Sequence, residues 1–227
     1  MKRGFPILAI VTGLLLSFAL YEALMVAPTE KTMGDVQRIF YYHVPSAWTA
    51  FLLFLINFAA SLIYLVRRGS KADIVALVSA EVGVVFCTVV LVTGPIWARP
   101  VWGIWWTWDL RLTLTLVLWL IYVSYLVLRR FSTSSQTPLL AAVLAVFGAL
   151  DVPLVYFSIW YFRTQHPSPV IGGGGSLDPR MAHVLLINWA AFLCLAALIC
   201  WVRYLLEIAK REVEEAQSLE SLLEGSQ

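Results

Sequence analysis

The sequence predicts an all-α integral membrane protein with six transmembrane helices. Of its 227 residues, 60% are apolar or aromatic and only 13% are charged, whereas a typical soluble domain has roughly 45–50% apolar and about 25% charged residues. The apolar residues form long runs without the alternation that a β-barrel requires. Because only helices and closed barrels satisfy their backbone groups in a bilayer, we expect a helical bundle.

Each element follows from an apolar run, since a spanning helix needs about 20 residues. The predicted spans are 6–27, 46–66, 74–94, 112–128, 138–160 and 182–206. The first run is longer than the core of a signal peptide, roughly 7–15 residues, so we assign it to a helix. We therefore divide the chain into a six-helix transmembrane domain, 1–206, and a charged, solvated helical tail on the cytoplasmic side, 207–227.

Lysine and arginine residues are enriched on the cytoplasmic side of membrane proteins, and this rule sets the orientation. An N-in, C-in arrangement puts ten of the sixteen basic residues inside. Those ten are Lys2, Arg3, Arg67, Arg68, Lys71, Arg129, Arg130, Arg203, Lys210 and Arg211. Both termini are therefore expected in the cytoplasm.

Several function classes are excluded by what the sequence lacks. The net charge of +2 gives no reason to expect a nucleic-acid partner. No Gly-rich phosphate loop or Walker motif is present, so nucleotide hydrolysis by this chain is not expected. Cys87, Cys194 and Cys200 lie in predicted spans without a CxxC or CxxCH motif, and we interpret them as structural thiols.

The three outer segments, about 28–45, 95–111 and 163–181, contain most of the unusual chemistry. The middle one includes five tryptophans within twelve residues, in a tryptophan-rich segment of about 97–113. They are Trp97, Trp102, Trp105, Trp106 and Trp108. An interfacial belt explains one or two indoles, but five predict an aromatic surface for a large flat ligand. A short interfacial helix over 101–110 would pair Trp102 with Trp106 and Trp105 with Trp108.

Charged and metal-ligating residues accompany this segment. Arg99 and Arg111 flank it and are suited to bind carboxylates, and Asp109 is placed to orient a Trp N–H or an arginine. A porphyrin with two propionates has this shape and charge; quinones and other aromatic ligands remain alternatives. All three histidines, His43, His166 and His183, also fall on the outer face. A lone interfacial histidine is usually an anchor, but this clustering favours iron ligation.

Two further features receive structural interpretations. The run Gly172–Gly175 is expected to form a flexible flap rather than a phosphate loop, because no helix N-terminus follows it directly. Asp151 lies near mid-depth of the fifth span, two residues before Pro153. Since no basic partner is predicted at that depth, we interpret it as a structural carboxyl beside a kink.

The motifs resemble a known family. WGIWWTWDLRLT is similar to the WWD signature of the haem-handling proteins of cytochrome c maturation. YYHVPSAW, LVTGPIWARPVWG and RTQHPSP…LDPRM resemble its CcmC branch, the haem exporter protein C family, over about residues 33–181.

The resemblance implies haem b, held non-covalently at the periplasmic face of the bacterial inner membrane and passed to the periplasmic haem chaperone CcmE. It also implies other cytochrome c maturation subunits as partners, including an ABC-type ATPase complex. His43 and His166 correspond to the axial iron ligands, whereas His183 has no counterpart. The residues that fall on the signature are Trp102, Gly103, Trp105, Trp106, Trp108, Asp109 and Arg111. The sequence QHPSPVIGGGGS departs from the commoner LHQ form around His166.

Three function classes are consistent with a haem-binding membrane protein. The leading one is a haem handover protein, and the alternative is a subunit that translocates haem across the bilayer. An electron-transfer cytochrome b or quinone enzyme is disfavoured, because no histidine lies at mid-span. Conventional enzyme catalysis is not expected, although positioning haem against the chaperone would assist its covalent attachment.

Overall fold

The computed structural model describes residues 4–162, 164–169 and 177–224, and the regular structure in these ranges is helical. The helices are α1 (Gly4–Tyr21), α2 (Phe40–Arg67), α3 (Ser70–Trp102), α4 (Leu110–Phe131), α5 (Thr137–Ala149), α6 (Asp151–Tyr161) and α7 (Pro179–Glu224). A π-helical turn, Glu22–Val26, extends α1, and a 3₁₀ turn, Asp35–Ile39, leads into α2.

The predicted fold class is confirmed. Within the described residues, six helical segments are long and apolar enough to cross a membrane. They comprise α1 with its π turn, the 3₁₀ turn with α2, then α3, α4, α5 together with α6, and α7. The chain is therefore a multi-pass membrane protein.

The fifth span, predicted over 138–160 with a kink beside Asp151, is divided into two helices. It is broken at Leu150 into α5 and α6. Pro153 explains the break, because it lacks an N–H and its ring would clash with the carbonyl four residues earlier, that of Ala149. Asp151 begins α6, is buried, and its Oδ2 has no hydrogen-bond partner. Its assignment as a structural carboxyl stays a prediction.

Close packing of α2 against α3 and α4 builds the centre of the bundle. A Cβ at Gly83 of α3 would lie only 2.7 Å from the ring of Phe54, so the glycine lets the two helices approach. Phe54 stacks on Tyr122 of α4 with ring centroids 3.8 Å apart. Asn57 of α2 donates a 2.7 Å hydrogen bond to the Ala76 carbonyl. These contacts hold α2, α3 and α4 together. The site described below is formed at one end of these helices.

A charged network joins α3, α4 and α7 at one end of the bundle. Asp73 accepts hydrogen bonds from Arg129, at 2.5 and 2.8 Å, and from Arg211, at 2.7 Å. Arg211 also donates to Glu207 at 2.9 Å. A separate pair, Glu81 with Arg203, links α3 to α7 at 2.8 Å. No pattern in the sequence indicates that these residues pair.

The network also changes the description of the tail. Helix α7 continues without interruption past residue 206 to Glu224. Residues 212–224 are exposed, as expected for a solvated tail. That expectation is wrong for Glu207, which is buried, and for Arg211, which reaches Asp73. The first turn beyond 206 is therefore packed against the bundle by ion pairing.

Arg38 secures the C-terminal end of α1, where the π turn ends. Its Nη1 donates to the carbonyls of Ala23, at 2.7 Å, and Ala27, at 3.3 Å, around the end of the π turn. A cation is favourable there because the last carbonyls of a helix lack intrahelical partners. The first outer segment is thus tied to α1 beside the site.

Candidate functional site

A cavity of about 740 Å³ lies where the three predicted outer segments converge. It is bounded by α2, the end of α3, the start of α4 and the segment 166–169. Of the residues predicted for the site, the cavity is lined by His43, His166, Trp102, Trp105, Trp106 and Arg111. The fold therefore brings together side chains that are up to 123 positions apart, from His43 to His166.

His166 is oriented by its own loop. Its Nδ1 lies 2.9 Å from the carbonyl oxygen of Pro167, and its backbone N–H donates to Thr164 Oγ1 at 3.1 Å. Because a carbonyl only accepts hydrogen bonds, Nδ1 carries the proton and Nε2 has a free lone pair. Burial lowers the pKa of His166 to about 4, and the nearby charge of Arg111 acts in the same direction. The imidazole is therefore neutral at pH 7 and suited to metal ligation.

His43 is held by α3. It lies in the first turn of α2, and its Nδ1 is 2.8 Å from Thr93 Oγ1. A Cβ at Gly94 would lie 3.4 Å from His43 Cε1, in van der Waals contact. Cε1 lies between the two ring nitrogens. Nδ1 is the nitrogen near Thr93, and the other is Nε2. Both histidines thus have Nδ1 engaged.

The two imidazoles both line the cavity, with ring centroids 6.4 Å apart and planes tilted by 33°. A metal–imidazole bond is about 2 Å long and the nitrogen lies about 1.1 Å from the ring centre, so imidazoles on opposite sides of one metal have centroids about 6.3 Å apart. The observed separation matches that value. The residues present therefore fit a single iron between two neutral imidazoles.

The tryptophan-rich segment does not form the short helix over 101–110 that would have paired its indoles. Helix α3 continues through Pro95 and Pro100 to Trp102, and residues 103–109 are non-helical. Gly103 ends α3 in the left-handed conformation, with φ at 79°, which favours glycine. The predicted helical pairings are therefore replaced by edge-to-face pairs of Trp97 with Trp102, at 5.1 Å, and of Trp106 with Trp108, at 5.8 Å.

The tryptophans of this segment divide by exposure. Trp102 and Trp106 are partly buried, and Trp105 is 59% exposed, but all three line the cavity. The indole N–H of Trp106 is buried and has no hydrogen-bond partner. Trp108 is 76% exposed and lies behind Trp106, outside the cavity lining. The aromatic wall is therefore made by only part of the motif.

Arg111 is the cation of the segment that faces the cavity. Its Nη1 lies 3.4 Å from the Val155 carbonyl, at the outer limit of hydrogen bonding. Among the described residues, no carboxylate lies within 4.0 Å of its guanidinium. It is thus available to an anionic group of a ligand.

Arg99 and Asp109 have other roles in the structure. Arg99 is exposed, donates to the Gly103 carbonyl, and has its guanidinium carbon 6.0 Å from the Trp105 ring centroid. Asp109 caps α4 by accepting from the Leu112 N–H at 3.0 Å, and it also accepts from the Gln165 N–H at 3.4 Å. Burial raises the pKa of Asp109, but these and further hydrogen bonds outweigh it, so the net pKa is lowered. Both residues shape the loops around the cavity.

The structure adds residues that the sequence analysis missed. Trp48 of α2 and Trp189 of α7 form an edge-to-face pair, 5.1 Å between centroids, and both line the cavity. Gln37 is buried, lines the cavity and leaves its Oε1 without a partner. The available signal was Trp189, because a tryptophan well inside the predicted span 182–206 is not an interfacial anchor.

Other predicted features lie elsewhere. His183 is exposed on α7 and does not line the cavity. The flap predicted at Gly172–Gly175 falls outside the described residues, as do the outer Arg163 and the inner Lys2 and Arg3.

Comparisons with known proteins place these features in context. A family model described as "Heme exporter protein C" matches residues 1–219. A Bradyrhizobium diazoefficiens protein of that name is 36% identical over 96% of this chain and 84% of its own length. The Escherichia coli K12 protein of that name is 32% identical, covering 87% and 81% respectively. A Marchantia polymorpha protein named "Putative cytochrome c biosynthesis ccmC-like mitochondrial protein" is 31% identical, covering 81% and 79%.

Proposed function

Because the chain belongs to the Heme exporter protein C family, we propose that it binds haem at the periplasmic face of the inner membrane and delivers it to the haem chaperone CcmE. A role in haem handling for cytochrome c biogenesis follows from the family. The finer steps, binding between His43 and His166 and transfer to CcmE, are part of the proposal and are supported by the geometry of the site.

The observation that carries the proposal is the spacing of the two imidazoles that line the cavity. Their centroids are 6.4 Å apart, which is the separation expected when both ligate one iron. Nδ1 of each ring is hydrogen-bonded to protein, as is usual for a ligating histidine whose other nitrogen binds the metal. Two neutral imidazoles favour a six-coordinate, low-spin haem iron.

The remaining cavity walls match the rest of a porphyrin. Its flat apolar surface suits the indoles of Trp102, Trp105 and Trp106, since stacked aromatic contacts stabilise such a ligand. Its propionates suit Arg111, which faces the cavity without a carboxylate partner. These contacts favour a porphyrin over an uncharged quinone.

The binding mode supports release as well as capture. Axial coordination, stacking and one ion pair do not bond the protein covalently to the porphyrin. A haem b held this way can therefore pass to an acceptor. Trp105 lines the cavity and is 59% exposed, so a soluble chaperone has access to this part of the site. Holding a haem vinyl group near a chaperone residue would assist covalent attachment by proximity alone. No nucleophile of this chain is then required.

Membrane orientation and partners complete the proposal. The ionic network and the site lie at opposite ends of the bundle, and the basic loops 67–71 and 129–130 share the end of the network. The positive-inside rule then gives N-in and C-in termini with the site on the periplasmic side. An ABC-type ATPase complex among the other maturation subunits would supply energy, since this sequence has no nucleotide-binding motif.

We expect Trp106→Ala to remove most of the haem that copurifies with the protein, whereas Trp108→Ala retains it. Trp106 lines the cavity, and the exposed Trp108 does not. Aromatic stacking on a nucleobase, another flat ring, is worth about 1–3 kcal/mol per residue, so a loss of roughly 5- to 150-fold in affinity is expected. Haem is measured by its absorption spectrum after purification.

A Trp106→Phe variant serves as the control, because it keeps an aromatic ring and should bind at near wild-type levels. Transfer to purified CcmE is measured in the same samples. Equal haem content in Trp106→Ala and Trp108→Ala proteins would contradict the proposed binding mode, and normal binding without transfer would contradict the handover role.

A haem-translocating subunit remains the second candidate because of a second cavity. It has a volume of about 900 Å³, lies between α2, α3 and α7 towards the other end, and shares Leu52 with the first. Its lining is largely apolar, as a route for a hydrophobic cargo through the bilayer would be.

The two functions predict different results for Ala197→Trp, which places an indole in the second cavity from an exposed position. A handover protein loaded at the outer face should retain haem, whereas a translocating subunit should lose it. Leu206→Trp is the matched control, because this residue is exposed on the same helix and does not line that cavity. We expect both variants to bind haem normally, and selective loss in Ala197→Trp would favour translocation.

A further inference from the structure

We propose that Thr93 is a positioning residue that fixes the tautomer of His43, so that Nε2 is the nitrogen presented to the cavity. The residue lies on α3, before the tryptophan-rich segment and within the stretch LVTGPIWARPVWG, where the sequence analysis gave it no role of its own. The assignment of Nε2 to an iron rests on the proposed function. The tautomer itself is a property of the protein without haem.

The argument begins with the hydroxyl proton of Thr93. Its Oγ1 lies 2.6 Å from the Val89 carbonyl, one turn earlier on α3, and 3.5 Å from that of Val90. Carbonyls only accept hydrogen bonds, so the single hydroxyl proton is directed to the backbone. Towards any third partner, the oxygen of Thr93 is therefore an acceptor.

That third partner is the imidazole of His43. Its Nδ1 lies 2.8 Å from Thr93 Oγ1, a distance at which one of the two atoms must donate. Since the hydroxyl proton is already used, Nδ1 donates and carries the ring proton. Nε2 of a neutral His43 then has the lone pair, which is the form that binds a metal.

At His166 the ring proton is also held on Nδ1, but by a different group. There the acceptor is the backbone carbonyl of Pro167, which no side-chain substitution removes. Thr93 is therefore the side chain through which the tautomer of one ring can be changed while the other ring is left intact. This asymmetry makes the inference testable.

Gly94 contributes to the same arrangement. A Cβ at this position would already touch His43 Cε1, at 3.4 Å. The bare glycine leaves the edge of the ring between Nδ1 and Nε2 free of side-chain atoms from residue 94. Helix α3 thus holds His43 at Nδ1 without covering the neighbouring edge.

The first test uses protein without haem. Thr93→Val removes the hydroxyl at nearly constant shape, and Thr93→Ser retains it. With ¹⁵N-labelled histidine at pH 7.5, the ring nitrogen shifts should report the Nδ1–H tautomer of His43 in the wild type and in Thr93→Ser. In Thr93→Val, the shifts should move towards the Nε2–H tautomer. Thr88→Val is the matched control, because Thr88 is also on α3 but its Oγ1 accepts a 2.8 Å hydrogen bond from Trp119 Nε1.

An unchanged His43 tautomer in Thr93→Val would overturn the inference, as would equal changes in Thr93→Ser or Thr88→Val. Should Thr93→Val fail to accumulate, Thr93→Ala removes the same hydroxyl with a smaller side chain and is scored by the same spectrum.

The second test adds haem. Loss of a group that orients a metal ligand typically costs 10–100-fold in metal affinity, so Thr93→Val should bind haem 10- to 100-fold more weakly and shift its low-spin spectrum. Thr93→Ser and Thr88→Val should match the wild type. A changed tautomer with unchanged haem affinity would contradict His43 as a ligand, and thus the proposed function, while leaving the tautomer assignment intact.

Discussion

Alanine at His43 or at His166 is expected to abolish the six-coordinate, low-spin spectrum of haem bound to this protein, whereas alanine at His183 should leave it unchanged. The first two imidazoles line the cavity with their ring centroids 6.4 Å apart. His183 is exposed on α7 and outside the cavity lining. Each of the first two substitutions leaves one axial ligand, so five-coordinate, high-spin or lost haem is expected.

The measurement is the absorption spectrum of each purified variant, together with the yield of haem transferred to CcmE. Added imidazole is the control for folding, because it should restore a six-coordinate spectrum to His43→Ala or His166→Ala if the cavity is intact. Loss of the spectrum in His183→Ala with retention in His166→Ala would show that the second ligand has been assigned to the wrong histidine.

The second large effect is expected at the other end of the bundle, where Asp73→Ala should lower the free energy of unfolding by about 3–5 kcal/mol. Asp73 is 3% exposed and bonds both Arg129 and Arg211. Removing it leaves the guanidinium of Arg129, whose side chain is only 10% exposed, without its carboxylate partner. A buried charge without a partner costs more than the pair contributed.

Denaturation of the detergent-solubilised protein, followed by tryptophan fluorescence, measures this effect. Glu214→Gln is the matched control, because its ion pair with Lys210 lies on the exposed part of α7 and exposed pairs contribute roughly 0–1 kcal/mol. Similar stability of the Asp73→Ala and Glu214→Gln variants would contradict a structural role for the network.

Haem ligation should respond differently from stability in the Asp73 variant. The network and the cavity lie at opposite ends of α3 and α4, so the folded fraction of Asp73→Ala should keep the low-spin spectrum. From the sequence, Arg129 and Arg211 contributed only to the predicted topology, and nothing connected them with Asp73. Their pairing was not predictable, because Asp73 and Arg211 are 138 positions apart.

The tryptophan-rich segment shows how local signals can compete. A helix over 101–110 would have paired the indoles by their spacing, but Gly103 and Asp109 are strong stop and start signals for helices. In the structure, Gly103 adopts a positive φ and Asp109 caps α4. Weighing these two residues above the spacing would have predicted the non-helical segment between them.

The sequence by itself determined the six spans, because a helix that crosses a bilayer needs a long apolar run, which is a local property of the chain. It also determined the family, because the motifs that carry the resemblance are short local strings. It also narrowed the site to a few histidines, tryptophans and arginines. Only the tertiary structure decided that His43 and His166 line the same cavity whereas His183 does not, and that Trp108 lies outside the cavity lining. Those outcomes depend on how helices far apart in sequence pack, as in the 50-residue separation between His43 and Thr93. Packing of that kind has no signature in local composition or spacing.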